Sequence, residues 1–516
     1  MAAVADPTIA TDVARLGVIM AAASGLQMLD SSTPLTLARI EEETGEDLSV
    51  FLPDAVLLSL LQIKSEQHTF DDLGSIAALR APALLHSNPK MLDEYLKAAI
   101  ASTNVVLLKE LTKPGYFTPD AFDEQLYTVI MDSYSPQCVK LLLAAGANVN
   151  YVHPKWDLPM LHAAVCSGHA EYVRLVLEHG ANPRVRRFTG KNVWFFAASK
   201  SVEIARVLVE YKAPVIQHED DNSLLEHSDI QYEVLRIILQ HNINVNYISP
   251  YRHETALFRA VRDALPQNVA LLLEHGANTN VRNHYNKTPL HIAAYTCVQC
   301  AKLLLSHGAE IDALDDTQTT PLHVAANGHY EQTVLFVEHG ANVNSATIGH
   351  HETPLYIAVQ QQHAHIARYL IEHGATVDAA TRQGWTPLFD AAASDVELTR
   401  LILDRGHDIN HKTRKGRTPI LHALGRNLDC FRLLIDRNAN LDIVYDTTRS
   451  TLLHYAMRVH DSTQYTELLL EAGVDTTIKD TFGNTPLDEA RKRHISEIVD
   501  LLTRYAQRRK KRRNMA

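Results

Sequence analysis

The sequence reads TPLHIAAYTCVQCAKLLLSHGAEIDALDDTQ from Thr288 and TPLHVAANGHYEQTVLFVEHGANVN from Thr320. In each copy the threonine can cap the free N–H groups of a helix, and the proline after it suits the first helical position. A short apolar helix, a turn and a second helix follow. The second helix ends at Gly308 or Gly340, and glycine readily takes the left-handed conformation that ends a helix. The stretch therefore predicts a helix–turn–helix unit that recurs after 32 residues.

The helix-ending position recurs along most of the chain. Its intervals are 30 to 35 residues, and it falls at Gly146, Gly180, Lys212, Asn242, Gly276, Gly308, Gly340, Gly374, Gly406, Asn438 and Gly473. Asparagine tolerates the left-handed conformation better than most residues, so Asn242 and Asn438 fit the position. The repeats around Lys212 and Asn242 also lack a TPLH start and are degenerate. This period predicts a solenoid of about twelve units, in which each unit packs only on its neighbours.

The pattern TPLHxAA…LLLxHGAxxN resembles the ankyrin repeat. The resemblance implies an all-α solenoid of stacked helix–turn–helix units joined by β-turn fingers. It also implies a concave surface, lined by fingers and first helices, that binds other proteins. It further implies that the histidine of TPLH bonds the threonine of its own helix start and the backbone of a neighbouring finger. We place five histidines in that position: His162, His291, His323, His422 and His454.

The chain divides into four predicted segments. Residues 1–47 are expected to be poorly ordered, residues 91–506 form the solenoid, and residues 507–516 form a basic disordered tail. Residues 48–90 contain Leu52-Pro53 followed by regularly spaced leucines, and this segment resembles an F-box. That resemblance implies that Pro53, Leu57 and Leu61 dock the adaptor of a cullin ubiquitin ligase. The alternative is a helical cap over the first repeat, because a cap needs the same leucine-rich pattern.

Charge and composition limit the classes of partner. The net charge is −11, and it becomes −17 without the six basic residues RRKKRR at 508–513. An acidic body does not suit a broad nucleic-acid surface, so no direct nucleic-acid binding is expected. The sequence also has no apolar run of about 20 residues for a membrane span. Five scattered cysteines predict a reducing compartment, cytoplasmic or nuclear.

The basic run resembles a nuclear localisation signal. Its residues are Arg508, Arg509, Lys510, Lys511, Arg512 and Arg513. The alternative is a solvated end that balances the charge of the acidic body.

No pattern indicates catalysis, a cofactor or a metal site. The 28 histidines are mostly spread one per repeat, so they do not converge on one ion. Cys297 and Cys300 form a single CxxC without a second pair, and we interpret Cys300 as a core residue and Cys297 as a turn residue. We therefore expect a protein that is not an enzyme.

The predicted partner-binding residues are aromatic, histidine and basic side chains at the fingertips. Aromatic residues and arginine are the types that interface hot spots favour. The set is Arg184, Arg187, Phe188, His284, Tyr285, Arg382, Trp385, Arg414, Lys415, Arg417, Tyr445, Arg449 and Phe482.

Three functions follow from these patterns. The first is a non-catalytic scaffold that binds partner proteins through its fingers and first helices. The second is an F-box-type substrate receptor of a ubiquitin ligase, and the third, remote, is an enzyme with an unrecognised site.

Overall fold

The computed structural model describes residues 77–78, 81, 89–216, 224–225, 230–250, 253–442, 444–445 and 448–515, with side chains as far as 508. The predicted segment 1–47 and almost all of 48–90, including the F-box-like residues, lie outside this part of the chain. The chain forms two compact units, Met1–Asn244 and Val245–Ala516. The boundary falls next to the degenerate repeats that the sequence identified.

The first unit contains paired helices and one small hairpin. The helices are α1 (Pro89–Ala101), α2 (Val105–Leu111), α3 (Asp123–Met131, after a 3-10 turn at Pro119–Phe122), α4 (Pro136–Ala144), α5 (Met160–Cys166), α6 (Ala170–Glu178), α7 (Val193–Ala197), α8 (Val202–Glu210) and α9 (Tyr232–Leu239). The antiparallel hairpin joins β1 (Val152–His153) to β2 (Leu158–Pro159), with Val152 opposite Pro159.

The second unit contains helix pairs with regular spacing. They are α10 (Ala256–Arg262) with α11 (Pro266–Glu274), α12 (Pro289–Thr296) with α13 (Val298–Ser306), α14 (Pro321–Ala326) with α15 (Tyr330–Glu338), α16 (Pro354–Gln360) with α17 (Ala364–Glu372), α18 (Pro387–Ser394) with α19 (Val396–Asp404), α20 (Pro419–Ala423) with α21 (Leu428–Asp436), α22 (Leu452–Ala456) with α23 (Ser462–Glu471), and α24 (Pro486–Lys492) with α25 (Ser496–Met515).

Several first helices begin as the sequence predicts, whereas Thr386 and Thr418 begin α18 and α20 without a side-chain capping hydrogen bond. Thr320 caps α14, where its side-chain oxygen accepts a hydrogen bond from the backbone N–H of His323, and Pro321 occupies the first turn. Thr353 and Thr485 cap α16 and α24 in the same way. Capping supplies partners for N–H groups that a helix start leaves free.

The ends of the second helices confirm most of the predicted left-handed positions. Gly308 and Gly340 have φ of 80° and 84°, and Lys212 and Asn438 have φ of 55° and 60°. Asn242 does not have a positive φ, so the prediction is wrong at this residue. There the helix α9 ends with hydrogen bonds from Gln240 and His241 to Ile237 and Ile238, without a left-handed residue.

The core lies between neighbouring helix pairs. In the second unit α12 packs on α10 and α14, and α13 packs on α11 and α15, and this arrangement continues from pair to pair as far as α18 and α19. Each helix pair therefore buries apolar faces both between its own two helices and against the neighbouring pairs. This is the architecture of an ankyrin solenoid.

Neighbouring fingers are joined by their backbones. At the tips, Ile348 N–H donates to Thr317 O at 3.0 Å, and Arg382 N–H donates to His350 O at 2.8 Å. Nearer the helices, asparagine side chains make the link; for example, Asn344 Oδ1 accepts from the N–H of Thr376 at 2.8 Å. These bonds fix the spacing of the finger residues.

The structure differs from the sequence-based expectation for residues 507–516. The last helix, α25, runs without interruption from Ser496 to Met515, where a disordered tail was expected. Arginine and lysine are good helix formers, so a helix that starts on a packed segment can extend through them.

Candidate protein-binding site

A cavity lies among two fingers and three first helices of the second unit. Its volume is about 320 Å³, and its walls include Glu352, Tyr356, Arg382, Trp385, Asp390 and His422. We call this cavity the finger pocket. Binding pockets for small ligands occupy about 300–1,000 Å³, so the finger pocket has room for one side chain or a small molecule.

Trp385 forms an aromatic wall of the pocket. The finger that carries it is closed by a hydrogen bond of 2.8 Å from Thr381 N–H to Trp385 O, and it turns at Gly384 with φ of 82°. The indole packs edge-on against Phe389 and against His422, with ring centres 5.0 Å apart in both pairs. The ring is therefore held in place on its finger.

Asp390 is the unusual carboxylate of the pocket. Its Oδ2 is buried without a hydrogen-bond partner, and its Oδ1 lies 4.0 Å from Nε2 of His422. Desolvation raises the pKa of Asp390, and Arg426 opposes this shift. Burial, with help from Arg426 and Arg417, lowers the pKa of His422 to about 4. At neutral pH the imidazole is uncharged, so it does not neutralise the carboxylate.

Asp390 and His422 share one position in successive repeats. Each lies four residues after the threonine that begins its helix, and this position is apolar in three preceding repeats, at Ile292, Val324 and Ile357. Counting from the threonine would have found this change from apolar to polar residues. Neither Asp390 nor His422 is among the predicted binding residues, which lie mainly on the fingers.

The same position in the last repeat provides a contrast. Glu489 accepts a hydrogen bond of 2.8 Å from Nε of Arg493, and Arg458 lies 3.7 Å away. A carboxylate here can therefore be paired with arginine from its own chain. Within the described residues Asp390 has no such arginine partner.

The structure brings only two of the predicted binding residues to the finger pocket. Arg382 and Trp385 line it. Arg414, Lys415 and Arg417 are exposed on the next finger, and Arg449 is exposed on the one after. His284 is exposed, with its ring stacked on His253 at 3.9 Å. Tyr285 and Phe482 are 69% and 77% exposed on other fingers.

Three further predicted residues, Arg184, Arg187 and Phe188, belong to the first unit. Phe188 is 93% exposed and Arg184 is also exposed. Arg187 is not free, because its guanidinium donates to the backbone carbonyls of Trp156 and Asp157 in the preceding finger. Arg187 thus joins two fingers.

Tyr445 does not fit the prediction. Its side chain is buried, and its hydroxyl lies 2.6 Å from the hydroxyl of Thr418. Tyr445 supplies a hydrogen-bond partner for Thr418, which begins α20 and whose own repeat has Leu421 in place of histidine at the TPLH position. The ring therefore stabilises the solenoid and is not available to a partner protein.

The TPLH histidines behave as implied at three of the five positions. In His323, Nδ1 accepts from the N–H of Thr320 at 3.1 Å, and Nε2 lies 3.1 Å from Glu352 O of the next finger. His291 and His454 make the same contacts. Burial lowers the pKa of His291 and of His323. The imidazoles of His291 and His323 are therefore neutral structural groups at neutral pH.

The other two histidines correct the prediction. At His162 the threonine is replaced by Pro159, and both ring nitrogens are buried without a hydrogen bond. Burial lowers the pKa of His162 to about 4. His422 lies one residue beyond the TPLH position because the repeat reads TPILH, and this shift directs it to the finger pocket.

Cys297 and Cys300 are placed as the sequence suggested. Cys300 is fully buried, and Cys297 precedes α13, where its sulfur accepts from the N–H of Cys300 at 3.3 Å. In the described part of the chain, no three His, Cys, Asp or Glu side chains are grouped so that they could hold a metal ion. No helix in the same part is long and apolar enough to cross a membrane.

Comparison with known proteins identifies the repeat. A family model that describes three consecutive ankyrin repeats matches this chain in four stretches. They are residues 126–220, 267–347, 334–413 and 394–480. Together these matches cover more than half of the chain. The chain belongs to the ankyrin-repeat family. Ankyrin repeats are a protein-interaction fold.

The similar proteins match this chain over part of its length and are proteins of different kinds. They include the B-cell lymphoma 3 protein homolog of Mus musculus, 29% identical over 215 residues (40% of this chain and 41% of that protein). The human transient receptor potential cation channel subfamily A member 1 is 31% identical over 251 residues (45% of this chain and 22% of the channel). This ankyrin-repeat chain thus spans less than half the length of either relative.

Among solved structures, the ankyrin repeat domain of Bcl-3 covers 39% of this chain and 91% of its own, with 27% identity and a TM-score of 0.35.

Proposed function

We propose that this ankyrin-repeat protein is a non-catalytic scaffold whose second unit binds a partner protein through its fingers and first helices. One observation carries the proposal. The finger pocket is formed by residues from three successive repeats, and an unpaired carboxylate and an indole ring line it. Fingers linked by backbone bonds hold these groups at fixed positions, so a partner that binds them loses little loop entropy.

Exposed aromatic fingertips extend the proposed surface. Tyr285 and Phe482 both lie three residues before a capping threonine, so they occupy equivalent positions on their fingers. Large exposed aromatic side chains are costly to leave in water and are favoured at interface hot spots. A partner that covers several fingers would bury them.

Capture of partners from the native cell tests this function. The full chain is compared with the double variant Tyr285→Ala and Phe482→Ala, and with Tyr330→Ala as a control. Tyr330 is 42% exposed but lies on a second helix, away from the fingers. We expect the double variant to lose most of the partners recovered by the full chain and the control to keep them. Equal recovery by all three proteins would contradict the proposal.

An F-box-type substrate receptor is the second candidate, and the Leu52-Pro53 segment favours it. In this function residues 48–90 bind a cullin-ligase adaptor and the repeats select the substrate. The same capture experiment with residues 91–516 separates the two candidates. If the full chain captures a ligase adaptor and residues 91–516 do not, the substrate-receptor function is supported. If both forms capture the same partners, the scaffold function is supported and residues 48–90 are a helical cap.

The protein is proposed to act in the cytoplasm, in the nucleus or in both. The nuclear part of this proposal depends on the basic residues 508–513, whose backbone continues α25.

A further inference from the structure

We propose that the finger pocket receives an arginine side chain of the partner protein, with its guanidinium on Asp390 and its plane against Trp385. This inference rests on the proposed function, since it names the chemistry of the partner at the same surface. It is carried by the charge, the unused hydrogen-bonding capacity and the walls of the pocket.

The first step is the charge of the pocket. Among the lining residues, Glu352 and Asp390 contribute carboxylates and Arg382 contributes a guanidinium. Burial lowers the pKa of His422 to about 4, so its imidazole adds no charge at neutral pH. Arg382 is exposed, whereas Asp390 is partly buried. A ligand that enters past Arg382 therefore meets a carboxylate, and this arrangement favours a cation over an anion.

The second step is the unpaired oxygen. A buried polar atom without a hydrogen bond is destabilising, so a ligand that donates to Asp390 Oδ2 relieves that penalty. Arg426, whose charge opposes the rise in the pKa of Asp390, donates elsewhere, because its Nη1 is hydrogen-bonded to His422 O at 2.8 Å. The repeat at Glu489 shows that arginine satisfies a carboxylate at this position.

The third step is the choice between arginine and lysine. The guanidinium is planar, donates two parallel hydrogen bonds to a carboxylate and stacks on aromatic rings. The ammonium of lysine is not planar and cannot donate two parallel hydrogen bonds. Tryptophan is the aromatic side chain that attracts cations most strongly. Trp385 and Asp390 line one cavity of about 320 Å³, which is enough for one extended side chain. The pocket therefore suits arginine.

Fluorine NMR of the full chain tests this inference. The chain has three tryptophans, Trp156, Trp194 and Trp385, so 5-fluorotryptophan labelling gives three signals, and a Trp385→Phe variant assigns the one of interest. The probe is N-acetyl-arginine methylamide. Its neutral analogue N-acetyl-citrulline methylamide and the corresponding lysine compound serve as comparisons. We expect a saturable shift of the Trp385 signal with arginine in the millimolar range, a weaker effect with lysine and none with citrulline.

Variants of the pocket decide the cause of the shift. Asp390→Asn should weaken the binding of arginine about tenfold or more, because a charge-assisted hydrogen bond contributes about 1.5–3 kcal/mol. Glu397→Gln is the matched control, because Glu397 is an exposed residue on the adjacent helix α19, and it should leave the affinity unchanged. Arg382→Ala should keep or increase the affinity. The positions of the three fluorine signals show whether each variant is folded.

The inference is overturned if the Trp385 signal does not shift, if citrulline binds as well as arginine, or if Asp390→Asn binds normally. Loss of binding in Arg382→Ala would also overturn it, since the pocket would then recognise an anion. These outcomes are distinct from failure of the scaffold function. If Asp390→Asn still captures the partners that the double variant Tyr285→Ala and Phe482→Ala loses, the scaffold function is supported and the arginine pocket is refuted.

Discussion

The contacts of a histidine near a helix start depend on whether a threonine lies three positions before it. Burial lowers the pKa of His323, its Nδ1 accepts a hydrogen bond from the N–H of Thr320, and its Nε2 donates to the next finger. Without that threonine, His162 has no hydrogen bond, and with one added residue His422 reaches the finger pocket. One position thus separates a structural histidine from one at a binding surface.

This dependence gives a prediction for Thr320→Val, which keeps the shape of the buried side chain and removes its hydroxyl. The hydroxyl lies 2.8 Å from His323 Nδ1, and loss of a cap or a buried hydrogen bond costs about 1–2 kcal/mol. We expect a lower midpoint of urea unfolding. Thr376→Val is the control, because Thr376 is exposed and only its backbone N–H is bonded. Equal midpoints for the two variants would refute the role of the hydroxyl.

The sequence predicted the parts of the fold that depend on neighbours along the chain. Thr320, Pro321 and Gly340 act within a few residues of themselves, so their pattern fixes where helices begin and end. The finger pocket could not be predicted in the same way, because Tyr356, Trp385 and His422 come from separate repeats and meet only after stacking. Tyr445 was misplaced for the same reason, since its burial depends on Thr418 of the preceding repeat.

At the scale of the fingers, the position of one finger depends on how closely its backbone approaches the backbone of the next finger. Gly384 has φ of 82°, and a Cβ there would lie 3.1 Å from both the nitrogen of Arg414 and the Cα of Thr413. Gly416, one finger later, has φ of 73° and no atom within 4 Å of such a Cβ. The two glycines share a conformation and differ only in their neighbours. They therefore separate backbone strain from contact between fingers.

We predict that Gly384→Ala is more destabilising than Gly416→Ala. Both substitutions force a left-handed residue to carry a Cβ, at a cost of about 1–2 kcal/mol. Gly384→Ala also pushes the next finger away and moves Trp385, so it should weaken arginine binding as well. Urea unfolding and the fluorine titration measure the two effects. If both variants lose the same stability and bind arginine equally, the fingers do not constrain each other.

At the scale of the whole chain, charge is distributed unevenly along the sequence. The six basic residues 508–513 follow a body whose net charge without them is −17. They continue α25, whose earlier residues Ile498 and Leu502 are buried. The packed start of the helix anchors the segment, and the helix carries the basic residues onward from it. A receptor that recognises clustered lysine and arginine would then find them on one anchored element.

The last prediction follows from this charge. Replacing all six residues of 508–513 by glutamine removes six positive charges and keeps a good helix former at each position. We expect a fluorescent fusion of this variant to move from the nucleus to the cytoplasm. Replacing only Lys510 and Lys511 by arginine keeps the charge and should leave the distribution unchanged. If the glutamine variant is distributed as the unmodified chain is, the segment is no localisation signal, and its positive charge acts only against the acidic repeats. The scaffold and the arginine pocket do not depend on that outcome, because Asp390 and Trp385 belong to repeats well before α25 in the sequence.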